Sequence, residues 1–111
     1  MPELSLESRF EDAMHELYAR IVREGQYTPT VFFRMIHESG GLETAHRLLK
    51  PDANFFSYGF EQLCQMGRPD LTMEHFIRSL DYKDQLFSAR ELTTAEDRLN
   101  AARQLYSPGG D

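Results

Sequence analysis

Between Leu6 and Val22 the apolar side chains Leu6, Phe10, Met14, Leu17, Ile21 and Val22 recur every three or four residues. That spacing gathers them on one face of an α-helix. The same period returns, in shorter runs, along the rest of the chain. It is carried by Val31, Phe32, Met35 and Ile36, by Leu42, Ala45, Leu48 and Leu49, and by Phe60, Leu63 and Cys64. Met73, Phe76, Ile77 and Leu80 continue it, and Leu92, Ala95, Leu99, Ala102 and Tyr106 close it. No stretch alternates apolar and polar residues as a half-buried strand does, and nothing repeats at a fixed long period. The pattern predicts an all-α fold, a compact single-domain bundle of six or seven short helices.

Helix-breaking and capping residues separate these runs. Ser5 is placed to cap the first helix, and Gly25 to end it in a left-handed conformation. Thr28-Pro29 reads as a helix start, with Thr28 as the cap and Pro29 in the first turn, where a missing N–H costs nothing. Gly40-Gly41 stops that helix, and Pro51 stops the next. The stretch PDANFFS is the most loop-like interior segment, although Phe55 and Phe56 suggest that it packs down. Ser57 caps a fourth helix that Gly67 ends, and in the connector RPDLT Thr72 caps a fifth. Tyr82 to Phe87 allow one further turn. Ser88 and Glu91 have the spacing of a capping box, in which each side chain satisfies the other's backbone N–H. The expected division is a flexible N-terminus over 1–4, a helical domain over 5–106 and a flexible tail over 107–111.

A chain of 111 residues falls within the roughly 100–150 typical of one domain, and can build a core without metals or disulfides. Its 18 acidic and 12 basic residues leave a formal charge of −6. Nonspecific DNA binding draws on basic side chains that displace counterions from phosphates, so this balance disfavours a nucleic-acid partner. The acids are interspersed along the chain, which describes a solvated helical surface. The single cysteine, Cys64, forms no internal disulfide. The opening MPELSLESRFEDAM lacks a basic region followed by an apolar run, and no stretch approaches the roughly 20 apolar residues of a membrane span. A cytoplasmic protein is expected, with no membrane partner.

The segment from Tyr27 to Leu49, two short helices around Gly40-Gly41, has the outline of a DNA-binding helix-turn-helix. That motif requires a small residue where its helices cross and apolar residues around the turn. With Gly40 as the turn residue, Ile36 falls at the small position, and Ser39, Gly41 and His46 fall at apolar ones. With Gly41 as the turn residue, His37 and Arg47 become core residues. Neither register meets the requirement. Arg34, His37, His46, Arg47 and Lys50 nevertheless gather here, opposed by Glu38 and Glu43. Turned outward, they form a candidate basic patch for phosphate or for an acidic protein surface; otherwise they are a solvated face.

Side chains with catalytic or metal-binding chemistry are sparse. His15, His37, His46, His75 and Cys64 are not paired at the spacings that build zinc sites. His15-Glu16 does not begin H-E-x-x-H, because position 19 is Ala. Cys64 shares a face with Phe60 and Leu63, which predicts a buried, inert thiol rather than an activated nucleophile. Gly40-Gly41 and Gly67 belong to no phosphate-loop pattern and follow no strand. No catalytic residue, metal or cofactor is expected, which leaves open a site assembled from distant carboxylates.

Four blocks of residues occur in order. The first is Tyr27, Thr30, Phe32 and Met35; the second is Gly40-Gly41, Ala45 and Leu48-Leu49. The third is Gly59-Phe60, Leu63, Gly67-Arg68, Asp70-Leu71-Thr72 and Glu74. The last is Leu86-Phe87, Glu91-Leu92, Ala95 and Arg98-Leu99. In this succession, across roughly residues 10–100, the chain resembles a small, largely uncharacterised bacterial helical family found alone or at the end of longer proteins. The resemblance implies an all-helical fold and carries no activity or ligand. The chain departs from that pattern at Cys64, where an aromatic residue is expected, and at Pro69, where an aliphatic one is.

Arg68, Asp70 and Glu74 cluster at one connector. They are either candidate binding residues or structural ones that pair with each other and cap helix ends. The leading functional expectation is a non-catalytic protein-interaction or accessory module, an inhibitor or regulator among the possibilities, that binds a protein partner or a second copy of itself. An exposed apolar patch involving Tyr18, Phe33 or Tyr106 would serve it. The alternative is a nucleic-acid-associated module using residues 34–50.

Overall fold

The computed structural model describes residues 5–25, 28–50 and 57–106. Helix α1 spans Leu6–Glu24, α2 Thr30–Ser39, α3 Gly41–Leu48 and α4 Ser57–Gln65. A 3-10 turn at Pro69–Leu71 leads into α5, Met73–Arg78, followed by α6, Lys83–Leu86, and α7, Ala89–Tyr106. The described residues are thus an all-α bundle of seven α-helices without a strand. Two of these are not short: α1 has 19 residues and α7 has 18. The expected end segments 1–4 and 107–111, and the loop expected to pack through Phe55 and Phe56, lie outside the described residues.

The core forms where α1 lies under α2 and α3 while α7 packs on α5 and α4. Phe10, Met14, Leu17 and Ile21 give α1 a fully buried stripe, as its periodicity requires. Phe10 sits at the centre, with its ring edge-on to Phe87 at 5.4 Å and tilted against Phe76 at 6.3 Å. Each such large side chain contributes about 1.5–3 kcal/mol by leaving water. Two residues that spacing groups with the apolar faces, one on α1 and one on α2, lie outside the core. Val22 is 39% exposed and Val31 is 56% exposed, because each stands at the edge of a helical face only about a third of a turn wide.

Several helix ends form as the sequence predicts. The Ser5 hydroxyl accepts from Ser8 N–H at 3.1 Å, and the Thr72 hydroxyl accepts from His75 N–H at 3.2 Å. The Ser88–Glu91 capping box closes in both directions. Gly67, at φ 77°, ends α4 while Gly67 N–H donates to Cys64 O and Arg68 N–H to Leu63 O. That is a Schellman motif, which satisfies carbonyls left over at a helix end.

Two starts and stops differ from expectation. Thr28 does not cap α2: the helix begins at Thr30, no side chain caps it, and Pro29 offers its carbonyl to Phe33 N–H. Gly25 is right-handed, at φ −87°. Glycine is needed there for space, since a Cβ would stand 2.7 Å from Ile21 O and 3.2 Å from the Leu63 side chain.

The double glycine is a tightly packed junction rather than a loose turn. Gly40, at φ 85° and ψ 162°, ends α2 in a conformation essentially confined to glycine. Gly41 begins α3 directly against α1, where a Cβ would stand 3.1 Å from Met14 Cγ and from Glu11 Oε1. Having no side-chain cap of its own, α3 borrows one: the Glu11 carboxylate of α1 accepts from Gly41 N–H at 2.5 Å. An anionic group at a helix N-terminus is favourable both as a hydrogen-bond acceptor and against the helix dipole.

Gly40→Ala is expected to lower unfolding free energy by about 1–3 kcal/mol in urea titration, the cost of holding alanine in that backbone region. Gly67→Ala has open space around its Cβ and should lose only the cost of alanine at positive φ, about 1–2 kcal/mol.

Candidate functional site

Of the eight residues singled out from sequence, Glu74 lies deepest. It is fully buried on α5, and its Oε2 accepts from Arg98 Nη1 of α7 at 2.9 Å. The same Nη1 donates to Leu48 O at 2.6 Å, and Nη2 donates to Lys50 O at 2.8 Å. One guanidinium therefore binds a buried carboxylate, the last carbonyl of α3 and a carbonyl two residues beyond it. Burial pushes Glu74 above the usual carboxylate range against the opposing pull of Arg98, and its Oε1 has no hydrogen-bond partner among the described residues.

Cys64 lies within the electrostatic reach of Glu74. Burial, then the Glu74 and Glu61 carboxylates, push its thiol up to about 11. Neutral thiol is the dominant form at physiological pH, the reverse of what a nucleophile requires. The Glu74–Arg98 pair and Cys64 accordingly lie in the interior, with the thiol held protonated.

Arg68 and Asp70 come together away from Glu74. Arg68 Nε and Nη2 each lie 3.0 Å from the Asp70 carboxylate, and Nη2 reaches Glu24 Oε1 at 2.8 Å. Arg20 joins from α1, at 3.3 Å from Glu24 and 3.8 Å from Asp70, while Arg23 approaches Glu24 at 3.6 Å. This network fastens the end of α1 to the 3-10 turn. Hydrogen bonds from Arg68 hold both Asp70 and Glu24 below the usual carboxylate range, with Arg20 adding to the effect at Glu24.

The five basic residues between 34 and 50 divide among different surroundings. His46 turns toward α7, with its Nδ1 2.5 Å from Glu91 Oε2 and its ring 5.2 Å from that of Phe87. Burial alone would push Glu91 up, but hydrogen bonds from His46 and from Ser88 outweigh it and hold the carboxylate below its usual range. Arg47 pairs with Glu43 one turn earlier at 3.4 Å. Arg34 and Lys50 are exposed, and neither side chain has an ion-pair partner among the described residues. His37 is exposed as well and belongs to a different set of contacts.

That set is a stripe of rings in the seam between α1 and α2. Tyr18 lies 4.7 Å from Phe33 at an interplanar angle of 36°. Phe33 meets His37 edge-on at 4.3 Å, and His37 meets His15 at 6.0 Å. Tyr18 faces Phe33 as His15 faces His37, so the two helices run antiparallel. His15 Nε2 lies 2.9 Å from Glu11 Oε2, the carboxylate whose other oxygen caps α3. Tyr18 and Phe33 are half-buried, and Val22, one turn beyond Tyr18, is exposed.

The sequence identified Tyr18 and Phe33 as candidate surface aromatics, but His15 and Glu11 were missed as members of their stripe. The available signal was their i,i+4 spacing on one helix. Tyr106, the third candidate, has no described side chain.

Among the described residues no group of three or more His, Cys, Asp or Glu could hold a metal ion, and no helix is long and apolar enough to cross a membrane. The molecule is an all-helical single-domain bundle. No family model matches the chain, and searches among curated proteins and among solved structures find no match either.

Arg98→Met is expected to destabilise the fold by about 3–5 kcal/mol, the usual effect of leaving one member of a buried pair uncompensated. Adding Glu74→Met should restore only part of that loss in denaturant titrations, because the Leu48 and Lys50 carbonyls still lack Arg98. A pH series tests the surface network. Because Asp70 and Glu24 titrate lower in the folded chain than in the unfolded one, their stabilisation is complete above the ordinary carboxylate range, about pH 4. It is lost as pH falls through their lower folded values. Asp70→Asn should therefore flatten the acid limb of unfolding free energy between pH 6 and pH 2, without the large loss at neutral pH caused by Arg98→Met.

Proposed function

We propose that this chain is a small non-catalytic interaction module of the cytoplasm that works by binding a protein partner through the α1–α2 seam. The observation that carries this reading is the continuous ring stripe Tyr18–Phe33–His37–His15, only partly covered and extended by exposed Val22. Aromatic side chains with a rigid, half-buried base supply contact area at low conformational cost, which is why they dominate protein interfaces. Phe33 is held in place by Tyr18 and His37, so binding need not order it first. Several candidate polar groups are already engaged: Arg68 with Asp70 and Glu24, Arg98 with Glu74 and α3, and His46 with Glu91. The nucleic-acid reading has less beneath it. Two of its five basic residues face carboxylates, His37 lies in the ring stripe, and the chain is acidic overall.

A photo-reactive phenylalanine analogue at position 33, expressed in the native host, tests the proposal against the same analogue at exposed Asp97 of α7. Position 33 should yield a discrete protein adduct that survives nuclease treatment and is absent from position 97. An adduct lost to nuclease, equal labelling from both positions, or no adduct would overturn it. An adduct of twice the chain mass would identify a second copy as the partner.

A further inference from the structure

At one end of the ring stripe two imidazoles and a carboxylate meet where α1, α2 and α3 come together. His15 of α1 and His37 of α2 have ring centroids 6.0 Å apart at an interplanar angle of 67°. His15 Nε2 lies 2.9 Å from Glu11 Oε2. A carboxylate only accepts, so Nε2–H is the donor, and the neutral ring keeps its lone pair on Nδ1. Glu11 is itself fixed, because its other oxygen accepts from Gly41 N–H at the start of α3. A metal-ligating histidine is held in this way, giving its second ring N–H to a carboxylate that sets its tautomer and orientation. His37 is exposed and touches rings, Phe33 and His15, with no ion-pair partner among the described residues.

We infer that His15, oriented by Glu11, and His37 form a two-histidine site for a divalent transition-metal ion such as Zn²⁺ or Cu²⁺, with solvent completing the coordination. The spacing suits a shared ion. With metal–nitrogen bonds of about 2.0–2.1 Å and ring nitrogens roughly 1.1 Å from their centroids, two imidazoles on one ion stand about 5 Å apart at a tetrahedral angle and about 6 Å apart when opposed. Imidazole selects transition ions, whereas Mg²⁺ and Ca²⁺ prefer oxygen ligands. No third protein ligand converges here, so the ion exchanges with solvent instead of being sealed in. Arg34, one turn before His37, opposes a cation, and the Glu11 carboxylate offsets it. His46 also has a carboxylate, Glu91, but the ring beside it is Phe87 and not a second imidazole. An ion held by His15 and His37 would fasten α1 to α2 and would stabilise the folded chain, in which alone the two rings are brought together. The site does not require the proposed protein partner, and cross-linking from position 33 reads a different event.

The probe is Zn²⁺ alone, titrated calorimetrically into the untagged chain at about pH 7.5, where ordinary imidazole is neutral. One ion should bind per chain, Cu²⁺ should bind more tightly, and excess Mg²⁺ should not compete. His15→Gln and His37→Gln should each weaken Zn²⁺ at least about tenfold, whereas His75→Gln, at an exposed histidine of α5, should change it less than about twofold. Glu11→Gln, which keeps an oxygen for Gly41 N–H, should weaken it about tenfold through the lost carboxylate partner. Circular dichroism checks that each variant keeps its helix content. Saturating Zn²⁺ should also raise the urea midpoint of the parent chain and leave that of the His15 and His37 variants unmoved. Absence of saturable binding would overturn the inference. Equal losses from His15→Gln, His37→Gln and His75→Gln would show adventitious binding to single imidazoles and would overturn it too, as would a loss from only one of His15 and His37. Competition by Mg²⁺ would point to carboxylates instead and sink the histidine site, and indifference to Glu11→Gln would overturn the orienting role of that carboxylate.

Discussion

Helix α3 has only eight residues, too few to hold its own hydrogen bonds in water, and the rest of the molecule secures both of its ends. At its N-terminus Glu11 of α1 accepts the Gly41 N–H, and at its C-terminus Arg98 of α7 takes the carbonyls of Leu48 and Lys50. Between them His46 reaches Glu91 in the first turn of α7. These contacts tie the two longest helices to one short element. They also satisfy backbone groups that would otherwise be left orphaned at the ends of a helix whose inner face is fully buried. Glu74 extends the same arrangement into α5, because Arg98 neutralises it with the Nη1 that also serves α3.

Residues with apparent chemical potential are consumed by this design. A buried thiol beside a buried carboxylate is held protonated. A connector rich in arginine and aspartate is closed on itself and on the end of α1. Rings remain partly uncovered in the seam that α2 makes with α1, on the side of α1 away from that network.

Local features were legible wherever neighbouring residues settle them. Ser5, Thr72, the Ser88–Glu91 box and the Gly67 stop all involve groups within five residues of each other, so their geometry follows from backbone stereochemistry. Gly25 and Thr28 misled because the same residue types serve other ends. The first is small to admit Leu63 and its own preceding carbonyl; the second lies outside a helix that starts two residues later. The candidate residues show the same division. Arg68 and Asp70, two residues apart, pair as proximity allows, whereas Glu74 finds Arg98 across 24 positions and Glu11 finds Gly41 across 30.

The sequence by itself determined that this chain is helical, roughly where its helices begin and end, and which residues are apolar enough to form a core, because helical period and capping are local properties. Tertiary structure alone decided that the double glycine is a contact with α1, that Arg98 and Glu11 hold the two ends of α3, and that Tyr18, Phe33, His37 and His15 form one stripe. Each of these depends on which helices lie side by side. That choice is made by the shared burial of Phe10, Met14, Leu48 and Ile77, whose side chains meet only when distant segments have folded together.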